Sequence, residues 1–111
     1  MSQNITYTLD DNWSRFSLIE QLGNIGSEVG RARIAQYKDE EGFQNAIKRA
    51  LELFDRTLSD LRWSAQRPEI ETAREIFCDA ISGGQKYRSN LDELEEYFMY
   101  FAIAAMRQYD S

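Results

Sequence analysis

The chain has 111 residues, with 13 Lys and Arg against 19 Asp and Glu and no His, which gives a net charge of −6 at pH 7. This length suits one compact domain with its own hydrophobic core, and the acidic balance argues against free nucleic acid as a partner, because phosphate binding needs a basic surface. Without histidine, His-dependent catalysis and an ordinary structural zinc site are excluded.

Cysteine content and hydropathy indicate the cellular compartment of the protein. Cys78 is the single cysteine, so no internal disulfide can form and we predict a reduced, cytoplasmic protein. The polar residues 1–12 are typical of a flexible N-terminal arm rather than a signal peptide. No apolar run reaches the roughly 20 residues that a membrane-spanning helix needs.

The first predicted helix spans Trp13 to Tyr37 and carries three glycines. Apolar residues recur along it at steps of three and four, and this period runs through the glycines, so we predict one helix rather than two. Each glycine costs about 1 kcal/mol relative to alanine inside a helix. We therefore expect Gly23, Gly26 and Gly30 to let another helix approach closely. The alternative is a ligand that lies against the bare backbone.

The next two helices follow from amphipathic patterns and their boundary residues. A helix from Phe43 to Trp63 has the clearest amphipathic pattern in the chain. Pro68 suits the first position of a third helix, where its missing N–H is not needed. The Gly83–Gly84 pair predicts the end of that helix.

The fourth predicted helix begins near Ser89 or Asn90, because each is followed three residues later by a carboxylate, as in a capping box. Residues 97–106, YFMYFAIAAM, carry no charge on any face. A bundle helix needs only about three apolar positions per heptad, so this segment either lies centrally in the fold or is covered by a second subunit. We predict a homodimer, the commonest oligomer. The predicted helix-packing or interface residues of this helix are Tyr97, Tyr100 and Phe101.

The links between these helices are short, which favours an all-α fold in which consecutive helices pack side by side. We predict an antiparallel four-helix bundle with up-down-up-down topology. The bundle would occupy residues 13–111 as a single domain, preceded by the arm of residues 1–12.

The loop between the third and fourth helices has the ingredients of an anion site: glycines, two cations and a following helix N-terminus. It lacks the Walker spacing, and Asp92 and Glu93 would lie beside any bound phosphate. We therefore predict an ordinary turn; the less favoured alternative is a weak anion site formed by Lys86 and Arg88. The acidic residues 92–96 are interpreted as a solvated helix start rather than a metal site.

Several segments together resemble a known family. They are residues 21–32, QLGNIGSEVGRA, residues 49–55, RALELFD, and the pairs at 97–98 and 101–102. They resemble a family of small bacterial and archaeal all-α proteins of unassigned function. The general form is also similar to HEPN-type four-helix bundles, which include ribonuclease toxins and the partners of small nucleotidyltransferases. Those ribonucleases use an Arg-x-His motif, and this chain has no histidine, so the resemblance implies the non-catalytic, partner-binding branch.

The sequence thus predicts a non-catalytic interaction or accessory protein that self-associates, with no catalytic, metal or cofactor residue assigned. The alternative is a HEPN-like subunit that presents nucleotide or nucleic acid to a partner nucleotidyltransferase. The Lys and Arg side chains near residues 83–90 are the reason for this alternative. A small enzyme that uses carboxylates or a bound metal is a third hypothesis, and no motif in the chain supports it.

Overall fold

The structure, a computed structural model, describes the backbone of residues 13–110 and the side chains of residues 13–104, 106 and 107. These residues form four long α-helices and a 3-10 helix, and no strand occurs among them. The elements are α1 (Leu18–Ala35), α2 (Glu40–Ser59), the 3-10 helix (Leu61–Trp63), α3 (Arg67–Ile81) and α4 (Leu91–Asp110). The predicted all-α class is confirmed, and the arm predicted for residues 1–12 lies outside the described residues. None of the described helices combines the length and apolarity that crossing a bilayer requires.

The first helix is interrupted near its predicted start. Residues 13–15 are helical, the chain then bends, and α1 begins at Leu18. Ser17 caps it through a capping box: its Oγ accepts from the Glu20 N–H at 3.2 Å, and the Glu20 carboxylate accepts from the Ser17 N–H at 2.9 Å. This reciprocal pair satisfies two backbone donors that a helix start leaves open. The prediction of one unbroken helix from Trp13 was therefore wrong.

The turn between α1 and α2 also differs from the prediction. Tyr37 has a φ of 69°, which lies in the left-handed region and cannot continue a right-handed helix, so α1 ends at Ala35. Asp39 then caps α2, because its carboxylate accepts from the Gly42 N–H at 3.0 Å. The second helix consequently begins at Glu40, three residues before the predicted start.

The remaining boundaries lie close to the sequence signals. α2 ends at Ser59, and the residues after it, predicted as its last turn, form the 3-10 helix instead. Pro68 lies in the first turn of α3, as predicted. Asn90 caps α4, since its Oδ1 accepts from the Glu93 N–H at 2.9 Å.

One hydrophobic core joins the four α-helices. Phe54 of α2 lies at its centre, with ring centroids 5.9 Å from Phe77 of α3 and 5.9 Å from Phe98 of α4. The other buried members are Leu22, Ile25, Val29, Ala32, Phe43, Ala46, Ala50, Ile70, Ala73, Ala80, Leu91 and Leu94. α1 packs closely against α2 and α4, whereas α3 contacts the same two helices more loosely.

Candidate functional site

The three glycines of α1 face α4 across the most extensive helix contact among the described residues. The opposing pairs are Gly23 with Ala102, Gly26 with Phe98, and Gly30 with Glu95. A Cβ atom added at Gly26 would lie 2.5 Å from the Cβ of Phe98, a distance that real side chains do not tolerate. The missing side chains therefore let the two helix backbones approach each other. Because the contact positions rise along α1 as they fall along α4, these two helices run in opposite directions.

The end of this contact is polar. A Cβ at Gly30 would collide with the Glu95 carboxylate, which in turn accepts from Arg33 Nε at 2.5 Å. The same Nε lies 3.5 Å from an oxygen of Asp92. Two carboxylates of the acidic run at residues 92–96 are thus engaged with α1, which is more than the solvated helix start that the sequence predicted.

The outward face of α4 is unusually apolar. Met99, Tyr100, Ile103 and Met106 are 52%, 67%, 42% and 67% exposed, and their spacing puts them on one side of the helix. We call these four residues the α4 stripe. They are not buried within the described chain, so the segment 97–106 contributes Phe98 to the core but is not covered on every side.

The three predicted interface residues of α4 lie on different sides of the helix. Tyr100 belongs to the α4 stripe, whereas Phe101 is half-buried against the core. Tyr97 turns towards α3, where its hydroxyl donates to Glu69 Oε1 at 2.9 Å. Desolvation by burial, with a smaller contribution from the Glu69 carboxylate, raises the pKa of Tyr97 to about 12. Tyr97 therefore stays protonated and links α3 to α4.

The loop after α3 is organised around a carboxylate of the chain itself. Asp79 accepts from the backbone N–H groups of Lys86 and Tyr87, each at 2.9 Å, and from Ser89 Oγ at 3.1 Å. These bonds, led by the one from Tyr87, lower the pKa of Asp79. The backbone donors nearest to Lys86 and Arg88 therefore already hold an internal anion. Both predicted anion-site residues are exposed on this loop.

Replacing Asp79 by asparagine should lower the melting temperature at neutral pH, because an amide NH2 group would face donors that now bind a carboxylate oxygen. A carboxyl group with a lowered pKa stabilises the fold above its ordinary pKa of 3.8 and loses that contribution as the pH falls through the lowered value. The difference in melting temperature between the two proteins should hence shrink as the pH falls below 3.8 and through the lowered pKa of Asp79. Thermal unfolding followed by circular dichroism over this range measures it. Glu41→Gln removes an equal charge from an exposed site and should have a smaller effect.

Within residues 13–110, no cluster of three or more Cys, Asp or Glu side chains could hold a metal ion. Cys78 is half-buried, with its Sγ 4.0 Å from Arg74 Nη1.

Two buried polar residues of α1 were not predicted. Gln21 is fully buried: its Nε2 donates to the Trp13 carbonyl at 3.0 Å, and its Oε1 accepts from Trp63 Nε1 at 3.1 Å. Glu28 is only 5% exposed. The signal was their register, because Gln21, Ile25 and Glu28 recur at steps of four and three and so share one helical face.

The described structure thus combines a glycine-lined helix contact with an exposed apolar stripe on the same helix, α4. The first of these features positions the second, because close packing against α1 decides which side of α4 turns outward. Comparison of the chain with protein-family models, with curated proteins and with solved structures found no match.

Proposed function

We propose that the protein is a non-catalytic interaction or accessory protein that self-associates as a homodimer through the α4 stripe. The observation that carries this proposal is the exposure of four large apolar side chains on one side of α4. Single exposed apolar residues are common on protein surfaces, but a contiguous apolar patch marks an interaction site. A second copy of the chain would cover the stripe with an identical surface, as a two-fold contact requires.

We also propose that the four α-helices form an antiparallel bundle with up-down-up-down topology. Support comes from side-chain pairs whose order along one helix is reversed along its neighbour. For α1 with α4 these are the glycine pairs. For α3 with α4 they are Glu69 with Tyr97, and Asp79 with Ser89, which lies just before α4. For α1 with α2 they are Glu28 with Arg49 and, just beyond the end of α2, Gln21 with Trp63 of the 3-10 helix. Such a bundle leaves one long face of α4 available to a partner.

The charges beside the α4 stripe favour one register of pairing. Glu96 and Arg107 lie on the same side of the helix as the α4 stripe, one beyond each end of the stripe, and both are exposed. If two copies of α4 pair antiparallel about the point between residues 101 and 102, each charge lies about 8 Å from that point along the helix axis. Glu96 of each copy would then face the partner's Arg107, while Tyr100 would pack against the partner's Ile103.

Reversing one charge should therefore weaken the dimer, and reversing both should restore it. We expect the unmodified chain to show a mass near twice 13.0 kDa in light scattering at high micromolar concentration. Arg107→Glu should raise the dimer dissociation constant at least about tenfold, because two pairs of like charges would meet across the two-fold axis. Glu96→Arg combined with Arg107→Glu should return it to within about threefold of the original.

Lys38→Glu makes the same charge change at an exposed position away from α4 and should leave the dimer intact. Met106→Glu places a charge in the α4 stripe itself and should give a folded monomer. A monomeric mass for the unmodified chain would rule out self-association. A double reversal that stays as weak as Arg107→Glu would rule out the antiparallel register.

A further inference from the structure

A pocket of about 240 Å³ lies between α1, α2 and the turn before α1, and the self-association proposal does not use it. The residues that matter for its chemistry are Trp13, Phe16, Glu28, Arg31, Arg49 and Glu52. The pocket therefore combines two aromatic side chains with carboxylate and guanidinium groups. It is partly enclosed, and its volume suits a ligand smaller than the drug-sized molecules that fill pockets of about 300–1,000 Å³.

Glu28 is the buried charge of this pocket. One of its carboxylate oxygens, Oε1, accepts from Arg31 in the next turn of α1. The other, Oε2, has no hydrogen-bond donor among the described residues, and Arg49 Nε lies 4.0 Å from it, beyond hydrogen-bonding distance. A buried acceptor without a donor is destabilising, and more so when it is charged. Such an atom is therefore a site where a ligand's N–H group would bind favourably.

Trp13, which lines the same pocket, carries a hydrogen-bond donor without a partner. Its side chain is 5% exposed, and its indole N–H is buried without an acceptor among the described residues. The guanidinium of Arg49 lies within ion-pair distance of Glu28 but makes no hydrogen bond among the described residues, whereas Glu52 accepts from Arg56 at 3.1 Å. The groups without a hydrogen-bond partner are thus one anionic acceptor, Glu28 Oε2, and two donors, Trp13 and Arg49.

We propose that this pocket binds a small zwitterion of the α-amino acid class. The ligand's ammonium group would donate to Glu28 Oε2, and its carboxylate would accept from Trp13 Nε1 and pair with Arg49. The side chains of Arg31 and Arg49 are 66% and 67% exposed. They would therefore lie on the solvent side of the ligand's carboxylate and could move aside to admit the ligand. A ligand with only one of the two charges would leave either the acceptor or the donors unmatched.

The indole N–H signals of the two tryptophans give a direct test in the ¹⁵N-labelled full chain. Each common L-amino acid is titrated to about 10 mM, a range that detects millimolar affinity. For at least one of them the Trp13 signal should shift and saturate. The Trp63 signal is the internal control and should stay in place, since that indole already donates to Gln21. Assignment of the two signals follows from Trp13→Phe, which removes one of them.

Acetate and methylammonium, which each carry one of the two charges, should bind at least about tenfold more weakly than the amino acid. Glu28→Gln should weaken binding of that amino acid by a similar factor. Because Glu28 is buried and this variant could fail to fold, Arg49→Gln, at an exposed position, provides a second test and should also weaken binding. An unmoved Trp13 signal with every amino acid would overturn the proposal, and so would equal binding of acetate alone.

Discussion

Replacing Phe54 by alanine should lower the free energy of unfolding by about 3–5 kcal/mol. The side chain is fully buried, and its ring contacts aromatic rings of both α3 and α4. Removing it deletes apolar contact area and leaves a cavity where three helices meet. Because domains of this kind are stable by only about 5–15 kcal/mol, the variant should be close to unfolded at physiological temperature. Chemical denaturation at 25 °C measures the change.

Leu61 offers the matched comparison for this experiment. It is also a large apolar residue, but it is 87% exposed in the 3-10 helix. Leu61→Ala should change the free energy of unfolding by no more than about 0.5 kcal/mol. Equal losses in the two variants would mean that Phe54 is not the centre of the core.

Replacing Gly26 by leucine should lower the free energy of unfolding by about 2–3 kcal/mol, as overpacking of a filled interface does. The new Cβ atom would lie 2.5 Å from the Cβ of Phe98. Phe98 is fully buried, so it cannot turn into solvent, and α4 would have to move away from α1. The better helix propensity of leucine offsets only about 1 kcal/mol of this loss. The melting temperature should fall by roughly 10 °C, which differential scanning calorimetry measures.

Ser27→Leu is the control for the added volume, because Ser27 is the next residue of α1 and is exposed. It should shift the free energy of unfolding by less than about 0.5 kcal/mol. If Gly26→Leu leaves the melting curve unchanged, the glycines do not hold α1 and α4 in close contact.

The two variants also separate stability from the proposed interaction surface. Phe54 lies in the core, whereas Gly26 lies in the contact that sets the position of α4. A shift of α4 changes the direction in which Met99 and Ile103 point. The Gly26→Leu protein should therefore lose dimer affinity at temperatures where it is still folded, which light scattering below its melting transition can detect.

Much of the secondary structure was predictable because helical periods and caps are local properties. Pro68 predicted the start of α3, and Asn90 with Glu93 predicted the start of α4. The start of α1 was also encoded locally, since Ser17 and Glu20 have the spacing of a capping box, but the helix was predicted to begin at Trp13. The left-handed conformation of Tyr37 had no such signal, because large aromatic residues rarely adopt it.

The sequence by itself determined that the protein is helical and that it can use no histidine-dependent chemistry. It also determined that α1 carries glycines at helical spacing. Only the tertiary structure decided that Glu28 is buried beside a pocket, that Asp79 uses the backbone donors of its loop, and that the α4 stripe faces outward. The physical reason is the range of the interactions involved. A helical period depends on neighbours within one or two turns, whereas burial depends on which face meets a helix far away in the chain, and several faces of α1 and α4 were apolar enough to fill that position.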